Sequence, residues 1–225
     1  MSESTNTETS FAELFSQGPK AAKEGEVARG TILSIDDEFV QVDIGFKSEG
    51  LVAAWEFMQD DGTMTVKVGD KSVDLIEVGP AHTKGDVLVH VPEDGVVFTG
   101  DILFIEGTPI MWEGPVGNWI RACERIEELG AAVVVPGHGP ITDRSGARAV
   151  RDYLVYVRDE ARTRFDAGLS ANEAVKDISL GRYASWGDAE RIAVNVHTLY
   201  REFSGSDERA SPVELFELMA ALVRS

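Results

Sequence analysis

Three short segments each place a side chain able to ligate a metal at a strand end or in a loop bounded by glycine and proline. They are G-P-A-H-T-K-G-D around His82, F-T-G-D around Asp101 and V-V-P-G-H-G-P around His138. Such positions tolerate close backbone approach, and binding and catalytic groups concentrate in them. Two imidazoles and one carboxylate form a donor set suited to a single zinc or non-haem iron ion. Each residue also has a plainer role open to it: a histidine can hold a loop, and Asp101 can cap the turn after a strand. Of the four histidines, the remaining two stand apart. His90 alternates with Val89 and Val91 and reads as a solvent-facing strand residue, while His197 beside Val196 reads as a structural or partly exposed helix residue. The loop from Trp112 to Trp119 is expected either to line a substrate pocket or to plug the core.

The elements that must position these residues change character along the chain. Residues 1–24 form a polar leader with a short amphipathic cluster, Phe11, Leu14 and Phe15, ended by Gln-Gly-Pro. Residues 25–76 read as a small OB-like β segment: V-A-R-G-T-I-L-S-I, F-V-Q-V-D-I-G and E-G-L-V-A-A, then Met64 to Val68 and Val73 to Val78 around a Gly69-Asp70 hairpin turn. Residues 77–204 read as α/β (α+β), with D-V-L-V-H-V and V-V-F-T flanking an Asp94-Gly95 turn. A helix carrying Trp119, Ile120, Cys123, Ile126 and Leu129 follows, stopped at Gly130, and then a strand A-A-V-V-V-P. A long amphipathic helix comes next, with Val150, Leu154, Val157 and Phe165 on one face. Further helix starts are written at Ser170 with Glu173, at Asp188, and at Ser211-Pro212 with Glu214, the last opening a C-terminal amphipathic helix within 205–225.

With 21 basic and 39 acidic residues among 225, the formal charge is −18, which opposes non-specific attraction to phosphate backbones. The single cysteine, Cys123, allows neither an internal disulfide nor a paired-cysteine zinc site. The first ten residues have no apolar core of a signal peptide, and no uncharged apolar run approaches membrane-spanning length. The expectation is a cytoplasmic protein without a membrane partner.

Taken in order and spacing, the segments around His82, Asp101 and His138 resemble the metallo-β-lactamase superfamily, from about Val73 to about Phe203. The resemblance implies that His82 binds one metal, Asp101 bridges two and His138 binds the second, in a hydrolase acting on an ester, amide or thioester of a small-molecule substrate. That family's H-x-H-x-D-H motif is absent, so the resemblance implies the C-terminal half of an αββα sandwich with a partial metal site. At most one zinc, or another divalent metal such as manganese or iron, is expected per chain, with activity impaired or absent. The run from S-F-A-E-L-F through G-L-V to T-V-K-V-G-D is similar to the start of bacterial ribosomal protein S-one, including most of its first OB-type domain. This implies contact with RNA or the ribosome, for which Phe39, Phe46 and Lys47 are the candidate surface residues, although core or turn positions are the simpler expectation for them. The chain thus reads as a fusion that has lost part of each parent fold. An uncovered apolar face and open sheet edges then imply self-association.

Overall fold

The computed structural model describes residues 30–36, 38–45, 49–59 and 63–224. The expected helix around Phe11, Leu14 and Phe15, and the residues Phe46 and Lys47, lie outside them. The chain divides into two compact units, residues 1–58 and 59–225. In the first, β1 (Thr31–Ile35), β2 (Phe39–Asp43) and β3 (Gly50–Ala53) form an antiparallel sheet in the order β1-β2-β3. Phe39, expected in a core or turn, is 41% exposed on β2.

The second unit holds a five-stranded sheet in the order β4-β5-β6-β7-β8, formed by β4 (Thr63–Val68), β5 (Lys71–Glu77), β6 (Val87–Val91), β7 (Val96–Phe104) and β8 (Val133–His138). The turn between β4 and β5 uses Gly69 at φ +64°, as the Gly-Asp pair implies. β4 to β7 run antiparallel, and β8 lies parallel to β7 after a crossover through α1 (Val116–Leu129). The boundary expected at 76/77 therefore differs from the observed one at 58/59. β4 and β5 join the second sheet because β5 pairs with β6 in register, and Ile76 enters the same core as Leu88.

α1 and α2 (Arg144–Asp166) pack on one face of this sheet. Their apolar stripes close over Leu88, Val97, Ile102 and Val134, with Trp119, Ile126, Leu154 and Val157 fully buried. Gly130 ends α1 in the left-handed region, and Asp143 opens α2 by accepting from the Ser145 N–H. Glu127 of α1 receives both Arg148 and Arg151 of α2, which fixes the helices against each other. α3 (Ala171–Asp177) begins with the expected Ser170–Glu173 capping box. α4 (Ile192–Ser204) and α5 (Pro212–Val223) complete the unit. Asp188 and Ser211 precede helical turns as expected, but neither side chain caps one.

Trp119 concentrates this packing: it is fully buried, and its indole N–H donates to the Ile102 carbonyl at 2.9 Å. Trp119→Ala is expected to cost about 3–5 kcal/mol in the urea transition of the second unit. A loss below about 1 kcal/mol would show that the indole is not the keystone of this core.

Candidate metal centre

His82 sits in the loop between β5 and β6, and the loop folds around Asp86. That carboxylate accepts from the Ala81 and Thr83 N–H groups and from the Thr83 hydroxyl. The His82 ring is almost wholly buried, 5.4 Å from the Trp119 ring and 5.7 Å from Phe104. Its Nδ1 lies 3.0 Å from the Ile110 carbonyl. A carbonyl only accepts, so Nδ1 carries a proton and Nε2 is the ring nitrogen that faces Asp101. This second partner fixes both tautomer and ring orientation, as metal-ligating histidines require.

The Ile110 carbonyl is held in turn by one face of α4 and the turn before it. Arg191 donates to the Thr108 carbonyl, Asn195 to the Pro109 carbonyl, Thr198 to the Met111 carbonyl and Arg201 to the Glu113 carbonyl. Asn195 also accepts the Met111 N–H and donates to the Tyr153 hydroxyl, all at 2.9 Å. Positions 191, 195, 198 and 201 recur at helical spacing, so they line one face and bond the extended backbone of residues 108–113 along its length.

Asp101 lies within β7 rather than at a turn after it, because the strand continues through Phe104 past an irregularity at Gly100. A turn-capping role for this residue is thereby replaced by a strand position with the carboxylate 43% exposed. His138 ends β8 beside it. Asp101 Oδ2 lies 3.5 Å from His82 Nε2, and Oδ1 lies 3.3 Å from His138 Nε2. The close approach depends on Gly137, where an added Cβ would meet Asp101 Oδ1 at 2.3 Å. Gly139, at φ +89°, likewise brings the backbone against the Ile105 carbonyl. Phe104 contacts both imidazoles: it stacks on His138 at 4.4 Å and 10°, tilts against His82, and receives Arg191 above its ring at 5.6 Å.

The three expected residues thus meet as two pairs sharing one carboxylate. Donor types and the His82 tautomer fit a divalent ion. The spacing fits less well, since among the described residues no group of three or more His, Cys, Asp or Glu side chains is disposed to hold one metal. His90 departs from its solvent-facing expectation. Its side chain is largely buried opposite Asp74 across β5 and β6, with Nδ1 at 3.7 Å from the carboxylate. His197 is partly buried, with Nε2 3.0 Å from Asn172 Oδ1, and burial lowers its pKa. Trp119 plugs the core, and Trp112 packs against Phe216.

Residues 60–138 match the family model described as the Metallo-beta-lactamase superfamily, and residues 21–78 match that of the S1 RNA binding domain. A segment similar to the S1 RNA binding domain is thus followed by one similar to the metallo-beta-lactamase superfamily. The two matches overlap over β4 and β5, the strands that the fold places in the second unit. The small ribosomal subunit protein bS1 of Pseudomonas aeruginosa is 38% identical over 80 residues, covering 33% of this chain and 14% of that protein. A hydroxyacylglutathione hydrolase of Erythrobacter litoralis is 38% identical over 65 residues, covering 29% of this chain and 26% of the relative. The chain therefore spans about a quarter or less of the length of these relatives. The solved stereoselective inverting sec-alkylsulfatase Pisa1 of Pseudomonas sp. superposes with a TM-score of 0.53 at 16% identity, over 69% of this chain and 29% of that one, a likeness of fold. Among the described residues no helix is long and apolar enough to cross a membrane.

The polar face of α4 escaped the sequence reading, although Val194-Asn195-Val196, a buried amide amid valines, was its visible trace. Asn195→Ala is expected to cost about 2–3 kcal/mol in urea unfolding, because it strands the Met111 N–H and the Pro109 carbonyl. Thr198→Val, which removes one donor, should cost about 1 kcal/mol. Equal and negligible losses would show that α4 does not hold this loop.

Proposed function

We propose that the second unit is a metallohydrolase-type module carrying a half-site, in which His82, Asp101 and His138 bind at most one divalent ion, weakly, with little or no turnover. The observation that carries this reading is the single Asp101 carboxylate facing the Nε2 atoms of both histidines, with His82 Nδ1 tied to the Ile110 carbonyl. Three donors are the minimum for a catalytic zinc site and too few for two ions. They must also close from their present pairwise spacing, which lowers affinity. When bound, zinc, manganese or iron would supply Lewis-acid polarisation of an ester, amide or thioester carbonyl on a small-molecule substrate. The likeness to a hydroxyacylglutathione hydrolase supports an acyl substrate. Around the ion, the chain's own contribution is orientation: Ile110 holds the His82 proton, Gly137 admits the Asp101 carboxylate, and Phe104 sets the His138 ring. A cytoplasmic setting belongs to this proposal, supported by the lone, buried Cys123.

The first unit carries a second role in this reading, contact with RNA or the ribosome. The match to the S1 RNA binding domain and the exposure of Trp55, at 73%, support it. The net charge of −18 limits its strength.

Elemental analysis after dialysis against zinc should find no more than one ion per chain. His82→Ala, Asp101→Ala and His138→Ala should each lower the affinity by at least about tenfold. Hydrolysis of activated esters, thioesters and lactams should stay near background. Two tightly held ions, or brisk turnover abolished by His138→Ala, would overturn the half-site. Fluorescence anisotropy with single-stranded RNA should show weak binding that falls steeply with added salt. Sub-micromolar affinity persisting at physiological salt would contradict the modest role given to the first unit.

A further inference from the structure

The five-stranded sheet of the second unit has two apolar faces. One is the core face under α1 and α2, built from Ile76, Leu88, Val97 and Val134. The other follows from register. Leu75 pairs with Val89, Val89 with Phe98 and Phe98 with Val135, and paired residues project to the same side, so these four form one row across β5 to β8. Beside it run a second row, Val91, Val96 and Val133, and the pair Val66 and Val73. None of these side chains belongs to the core formed by the helices. Val87, Phe98 and Val133 remain 45%, 45% and 36% exposed.

We propose that this face is the contact surface of a symmetric dimer, its occupant being the same face of a second copy of this chain. Charge narrows the choice of occupant. The rows contain no charged residue, in a chain that carries −18 overall, and Lys71 and Glu77 stand only at the ends of β5. A partner offering charge would leave it desolvated and unpaired against these valines, whereas an identical face offers none. Size agrees. Five strands at about 4.8 Å spacing and some five residues each at about 3.3 Å rise give a flat footprint on the order of 400 Å² per copy. Side chains standing out of the pleat raise the accessible area above this, towards the roughly 800 Å² per partner of a standard stable interface. Two twisted sheets packed face to face lie about 10 Å apart and cross at about 30°. The contact is isologous, so it closes at two copies. Repulsion between two acidic chains opposes it and is screened by salt, so association should strengthen as ionic strength rises.

Sedimentation velocity on the full chain tests this, at low and high salt, for the wild type, for Phe98→Glu and for Val213→Glu, on α5, as an exposed control away from the face. The expected result is a wild-type dimer that tightens with salt, a Phe98→Glu chain weakened by at least tenfold to a monomer with an unchanged circular dichroism spectrum, and a Val213→Glu chain that dimerises like the wild type. If Phe98→Glu fails to fold, Val133→Lys at the β8 edge is read in its place. A wild-type monomer at all salts, growth beyond two copies, or equal dimerisation of the face variants and the control overturns the proposal.

Discussion

The ladder of hydrogen bonds from α4 to residues 108–113 is the constraint on which the site depends. An extended loop inside a protein carries unpaired backbone groups that are costly to bury. Here the Thr108, Pro109, Met111 and Glu113 carbonyls are answered by Arg191, Asn195, Thr198 and Arg201. The Ile110 carbonyl is left facing the other way, and it takes the His82 Nδ1 proton. The helix thus reaches the site through a backbone, and His82 inherits the rigidity of a packed core.

On the opposite side, position is set by what is missing. Gly137 and Gly139 bring β8 against β7 closely enough for Asp101 to stand beside His138. Phe104 then packs against both imidazoles, with Arg191 over its ring. Arg191 therefore serves both sides, as the first rung of the ladder and as the cover of the aromatic ring.

Much of this was legible in the sequence where the signal is local. Gly69 in a hairpin turn, Gly130 at a helix end and the Ser170–Glu173 box each act within a few residues. That His82 and His138 both approach Asp101 agrees with the sequence reading that grouped the three, from local glycine-bounded motifs. The pairing partners of β4 and β5 were not legible. β4 and β5 alternate as acceptably for a small barrel as for a mixed sheet, and only pairing with β6 and the burial of Ile76 decide between them. His90 misled for a related reason: alternation tells which residues share a face, but not which face is buried. Asn195 was hidden because a buried amide is explained by partners 42 to 86 residues away in the chain.

The central claim is that His82, Asp101 and His138 make half of a metal centre. Zinc K-edge X-ray absorption on the full chain at sub-stoichiometric zinc tests it most directly. The account predicts a first shell of nitrogen and oxygen at about 2.0–2.1 Å with imidazole outer-shell scattering, lost in the His82→Ala and His138→Ala chains. A metal–metal vector at about 3.5–4 Å, or an imidazole signal unchanged in those variants, would contradict it.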